Sequence, residues 1–172
     1  MLQLSKILFD LCRFKNSPDL LPRSPVTLIL VVMCGVIIDS FASSLLITRF
    51  STLEIFNTVL VYNLVLLIAV FLLLKIVGYA SRALQTMIAV AGSGLVISLI
   101  LLPALLMLDS SKEQSQAIAL FILIDNAWRI SVNAYIFRHA FSIKILLSLI
   151  ISVSYLLLGV MIADFLLPAQ AP

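Results

Sequence analysis

The chain has 172 residues, of which 63% are hydrophobic and 11% charged, with a net charge of +3 and a mean hydropathy of +1.23. A soluble globular domain is nearer half apolar and a quarter charged, so a water-covered domain is excluded: too few polar residues exist to make its surface. A nucleic-acid partner is excluded too, because nearly all of the 11 Lys and Arg lie in short loops and at the ends of apolar runs, where they set orientation in a membrane.

Leu4, Ile7, Leu8, Leu11 and Phe14 recur at helical spacing, with Lys6, Asp10 and Arg13 on the other side. Residues 1–16 are therefore expected to form a short amphipathic helix on the cytoplasmic surface, too charged to span, with its apolar side toward the acyl chains. Residues 17–25 form a proline-rich linker, in which Ser17-Pro18-Asp19 and Pro22-Arg23-Ser24-Pro25 break the helix and Pro25 suits the first turn of the next. Arg23 ahead of an apolar run, with Ser40-Phe41-Ala42 after it, imitates a secretory signal. The run continues past Asp39 to Ile47, however, which is a span rather than a signal core.

Residues 26–167 are expected to be an all-α, polytopic transmembrane bundle of about five spans, near Val26 to Ile47, Ile55 to Val77, Thr86 to Leu108, Ala117 to Phe137 and Ile143 to Leu167. Each is close to the roughly 20 helical residues that a bilayer core requires. The short connections make consecutive helices antiparallel neighbours. With the amino terminus in the cytoplasm, that side holds Lys6, Arg13, Lys15, Arg23, Lys75, Arg82, Arg138 and Lys144 against Arg49 and Lys112 outside. The tail, residues 168–172, is then expected on the outer side, the periplasm if the membrane is a bacterial inner membrane.

Ionisable residues within spans cost about 2.5–3.5 kcal/mol on insertion scales, so they face the bundle interior and find partners. Asp39 lies near the middle of the first span, with Gly35 and Ser43 one turn to either side on a small-residue stripe that would let another helix approach. In the fourth span, Asp125, Asn126, Arg129 and Asn133 fall within one third of the helix at about 100° per residue. Asp125 and Arg129 are spaced for an intrahelical ion pair in the better orientation, and a guanidinium has donors enough to serve Asp39 as well. This polar seam between the first and fourth spans has three readings: a device that fixes helix packing, a site for ions, protons or lipid headgroups, or a docking surface for a partner.

Ala89, Gly92, Ser93, Gly94 and Ser98 make the third span a helix-packing element, and Pro103 is expected to kink its outer end. Asn57 and Asn63 are expected to hydrogen-bond across helices, Lys75 to snorkel toward the surface, Asp164 to reach water and Trp128 to pack inside. Cys12 and Cys34 read as free apolar thiols, and the single histidine, His139, has no ligands beside it at metal spacing, so no metal or cofactor is expected. No zinc-protease, nucleophile-elbow or phosphate-loop motif occurs, and the chain reads as a non-enzyme.

The run Ser17-Pro18-Asp19-Leu20-Leu21-Pro22-Arg23-Ser24-Pro25, Gln85-Thr86 leading into Ala91-Gly92-Ser93-Gly94, and Trp128-Arg129-Ile130 through Phe137-Arg138-His139-Ala140 together resemble the small bacterial members of the Yip family of five-span membrane proteins. The resemblance covers most of the chain and implies five spans, a cytoplasmic amino terminus and no catalytic activity. The long cytosolic region of the eukaryotic members is missing, so their traffic function does not carry over. The sequence therefore leads to a non-enzymatic accessory or scaffold in the bacterial inner membrane, partnered by lipid and by other membrane proteins or itself. A channel or transporter subunit built on Asp39, Asp125 and Arg129 is the alternative, and a carboxylate-based intramembrane enzyme is a third.

Overall fold

The computed structural model describes residues 2–46, 50–107 and 114–166; the expectations for Ile47, Arg49, Leu108, Lys112, Leu167 and the tail 168–172 lie outside them. Among the described residues, all regular structure is helical: α1 (Leu2–Cys12), α2 (Pro25–Leu46), α3 (Thr52–Ile76), α4 (Ala83–Leu106), α5 (Gln114–Phe141) and α6 (Ile145–Leu166). Short 3₁₀ turns at Pro18–Leu20 and Ala80–Arg82 lie in the connections.

Local chemistry sets the ends. Pro25 is the first residue of α2, and the Ser24 hydroxyl accepts from the Thr27 amide at 3.3 Å. Ser51 and Glu54 form a reciprocal capping box at the start of α3. α3 stops at Gly78, whose φ of +90° lets the Tyr79 amide turn back to the Leu74 carbonyl at 2.8 Å. Phe14 (φ +60°) and Ser142 (φ +53°) make the same left-handed stop after α1 and α5 without a glycine, with Lys15 bonding back to Asp10 at 2.9 Å and Ile143 to Arg138 at 3.2 Å. Arg82 strengthens the stop after α5, donating from Nη1 to the carbonyls of His139 and Ala140 at 3.1 and 3.4 Å.

Every consecutive pair of long helices is in contact, as the short connections predict, and α4 lies in the middle, against α1, α2, α3 and α5. The further contacts of α3 and α5 with α6 complete the bundle. The interior is built on α4 residues such as Ile88, Ala89 and Ile97 together with Leu74, Val132, Ile136 and Phe137. The outside is as apolar as the inside: Ile29, Met33 and Ile37 of α2 and Leu64, Ile68 and Leu72 of α3 are exposed. Such continuous apolar faces suit hydrocarbon, not water.

Four helical stretches, Pro25–Leu46, Thr52–Ile76, Ala80–Leu106 and Ile145–Leu166, are long and apolar enough to cross a membrane. Over the described residues α5, the fifth expected span, does not join these four; it carries Asp125, Asn126, Arg129, Asn133, Arg138 and His139. Length is not the obstacle: its 28 residues reach about 42 Å at 1.5 Å per residue.

The amino-terminal segment is helical over Leu2–Cys12, and Leu8 and Leu11, expected toward acyl chains, face protein. Leu8 is 4% and Leu11 0% exposed, both packed into the core beside α4, while Phe14 stays 46% exposed. Burial from water is similar in either setting, about 1.5–3 kcal/mol per leucine, so it does not decide between them. Specific fit does. The Leu8 side chain fills the notch at Gly92, where an added Cβ would come within 2.5 Å of it. The Trp128 indole donates to the Cys12 carbonyl at 3.3 Å, and the Cys12 thiol to the Ser93 carbonyl at 3.7 Å. Trp128, read from sequence as a packing residue, thus ties α1 to α5.

Candidate functional site

Three helices bring the ionisable residues together. Asp125 and Arg129 lie one turn apart on α5, and Arg129 Nε donates to both carboxylate oxygens of Asp125 at 2.9 and 3.0 Å. Arg129 Nη2 donates to the Ser98 hydroxyl on α4 at 2.7 Å, and that hydroxyl donates to Asp39 Oδ1 on α2 at 2.6 Å. The direct distance from Arg129 Nη2 to Asp39 Oδ1 is 3.9 Å. The expected Asp39, Asp125 and Arg129 cluster forms, with its long edge closed by a serine that can accept and donate at once.

Ser98 is the residue whose role the sequence misled on. It reads as a small packing residue, yet it links acid to base; the signal was its position four residues from Gly94 on a face that also meets Asp39. Gly94 takes part as well, since a Cβ there would lie 3.4 Å from Arg129 Nη1, so its bare backbone makes room for the guanidinium. The side chains of Arg129, Asp39 and Asp125 remain 28%, 25% and 24% exposed, so none is sealed in. Two carboxylates share one guanidinium.

The exposure is toward cavities. A cavity of about 470 Å³ has Asp39, Asp125 and Arg129 at its floor, walls that include Leu101, Phe121 and Val160, and a far end at Leu46, Leu105 and Ala163. A second, of about 70 Å³, lies between Arg129 and the apolar residues Val31, Leu66 and Val90. Asp39, Tyr62, Asn63, Arg129 and Leu156 line both, so they are the partition between them. Tyr62 and Leu156, which no sequence pattern singled out, belong to this partition; the Tyr62 ring rests on α6 at Gly159, where a Cβ would stand 2.8 Å from its hydroxyl.

The remaining candidates distribute around this plan. Asn126 donates to its own helix at the Ile122 carbonyl (2.9 Å) and borders the larger cavity, and Asn133 borders the smaller. Gly35 and Ser43 border cavities, and no side chain or neighbouring helix comes within 4 Å of a Cβ built at Gly35. Ala89, Gly92 and Ser93 are buried packing residues, the Ser93 hydroxyl donating to the Val90 carbonyl at 3.0 Å. Asn63 bonds its own helix at the Val59 carbonyl (2.9 Å) and Asn57 is exposed, so neither makes the expected bridge between helices. α4 runs on through Pro103 to Leu106. Lys75 and Asp164 are exposed, and His139 is held by the Tyr135 carbonyl at 2.9 Å. Both thiols are free; burial pushes that of Cys12 up to about 11, against a smaller opposing pull from Arg129.

Among the described residues, no three His, Cys, Asp or Glu side chains gather as metal ligands. Compared with protein-family models, curated proteins and solved structures, the chain matches none, so its chemistry is read from its own geometry.

Proposed function

We propose that the chain is a multi-pass transport subunit of a bacterial inner membrane, not an enzyme, in which α5 is the fifth span and the Asp39–Ser98–Arg129–Asp125 cluster is part of the solute path. The observation that carries this reading is the pair of cavities sharing one charged partition: about 470 Å³ open space on one side of Asp39 and Arg129, about 70 Å³ on the other. A helix-packing device has no use for open volume at its ion pairs, because packing gains its energy from contact. An intramembrane charge bordering a cavity is instead the usual mark of a substrate or ion path.

Self-neutralisation supports α5 as a span, since each charge of the Asp125–Arg129 pair lowers the cost of inserting the other. The positive-inside count supports a cytoplasmic amino terminus, which turns the Leu46, Leu105 and Ala163 end of the larger cavity toward the outer side. The Yip-type architecture remains the frame of the proposal. The linker is held to α4, the Gln85 amide donating to the carbonyls of Asp19 and Leu21 at 2.9 and 2.8 Å.

Proteoliposomes test the reading. Purified protein should raise solute flux above that of empty vesicles, and Arg129→Leu with Asp125→Leu should abolish the increase while the folded yield is retained. Equal flux for the double variant and the wild type would show that the path does not use the cluster. A reporter fused to the carboxyl terminus should be active outside only; activity in the cytoplasm would refute the orientation.

A further inference from the structure

The floor of the larger cavity holds two carboxylates and one guanidinium, and the guanidinium is already engaged by both Asp125 oxygens and by Ser98. Asp39 uses Oδ1 for Ser98 and for the 3.9 Å approach of Arg129; Oδ2 takes part in none of these bonds. With every group ionised, the floor carries one unit of uncompensated negative charge. Among the described residues, no other charged side chain lines the cavity.

The cavity above this floor has a volume of about 470 Å³, within the roughly 300–1,000 Å³ typical of small-molecule sites. Its walls are chiefly Leu, Ile and Val with Phe121. A bare metal ion would need about six oxygen ligands, and among the described residues no third His, Cys, Asp or Glu gathers with Asp39 and Asp125 to hold one. A proton would neutralise the floor but leave the apolar volume without a purpose.

We infer that this cavity binds a monovalent amphiphilic organic cation, an alkyl- or arylalkylammonium, with its charged head on Asp39 and Asp125 and its apolar body along α4, α5 and α6. A primary ammonium brings three donors to carboxylates short of a cation, and a desolvated charge-assisted contact is about twice as strong as a neutral one. Selectivity follows from the same charge: an isosteric alcohol leaves the excess carboxylate uncompensated, and an isosteric carboxylate doubles it. The inference names the substrate class of the transport reading, but binding can be measured without transport.

Saturation binding of radiolabelled 4-phenylbutylamine to the purified full chain in detergent, with empty-micelle background subtracted, tests it. One saturable site is expected, with unlabelled amine competing at least tenfold better than 4-phenylbutanol and 4-phenylbutyrate not competing. Asp39→Asn should weaken binding at least tenfold. Ala163→Trp, which fills the far end without touching the charges, should abolish it with an unchanged elution profile. Absence of saturable binding, equal competition by the alcohol, or full affinity in Ala163→Trp overturns the inference. Preferred competition by 4-phenylbutyrate overturns it too, and makes the floor an anion site on Arg129. Amine binding without flux removes the transport reading and keeps the site; flux of another solute without amine binding does the reverse.

Discussion

Arg129→Leu removes the one cation that the described residues bring to a floor that keeps Asp39 and Asp125, and the structure sets what this costs. Breaking a buried pair by removing one partner costs about 3–5 kcal/mol. The three side chains here are each about a quarter exposed to the cavity, so the lower edge of that range, about 3 kcal/mol, is expected. Asp125→Leu alone frees the Arg129 Nε but leaves Asp39 and Ser98 to the guanidinium, and should cost less, about 1–2 kcal/mol. The double variant has no such orphan on α5. With Nε held by both carboxylate oxygens at 2.9 and 3.0 Å, a coupling of about 1–2 kcal/mol is expected between the two changes. The assay is reversible unfolding of the four proteins in mixed micelles, read by helical circular dichroism. Additivity to within about 0.5 kcal/mol would mean that the pair contributes no interaction energy, and the account of the cluster would fall with it.

Two further outcomes follow from α1. Gly92→Ala puts a methyl within 2.5 Å of the buried Leu8 side chain and should destabilise the protein by about 1–3 kcal/mol, with Leu8→Ala restoring part of the loss; the absence of any rescue in thermal denaturation would mean that the notch is not what seats α1. Because burial pushes the Cys12 thiol up to about 11, only about one thiol in a thousand is ionised at pH 8, and in a Cys34→Ser background iodoacetamide labelling should climb roughly tenfold per pH unit between pH 8 and 10. A plateau near pH 9 in mass-spectrometric labelling would contradict the burial of that thiol.

Much of the bundle was legible in the sequence because its signals are local. Apolar runs of span length, with Pro25 suited to a first helical turn, give the helices to within a few residues, and a pair such as Asp125 and Arg129 meets by helical spacing alone. The rest depends on depth and rotation, which composition does not encode. Ser98 reads the same whether it packs or relays, since only the level of Asp39 across α2 and α4 decides, and that is set by tertiary packing. Gly35 and Ser43 read as a packing stripe but border space, and no residue type announces a void. The destination of α1 was hidden for a related reason. An apolar helix face is equally content with lipid and with a fitted protein surface, and the notch that decides lies at Gly92, eighty-four residues from Leu8.

The relay has a consequence for biosynthesis. Asp39 belongs to the first of the long helices, whereas the guanidinium that answers it is encoded ninety positions later. At ~5–20 residues per second, a ribosome takes roughly 5 to 18 s to cover that interval. If the helices enter the bilayer in chain order, α2 waits through this period with an uncompensated acid and cannot settle until α5 arrives. The cluster then acts as a completion signal: a chain truncated before Arg129 exposes a lone carboxylate to lipid, a chemical mark by which an unfinished molecule differs from a finished one.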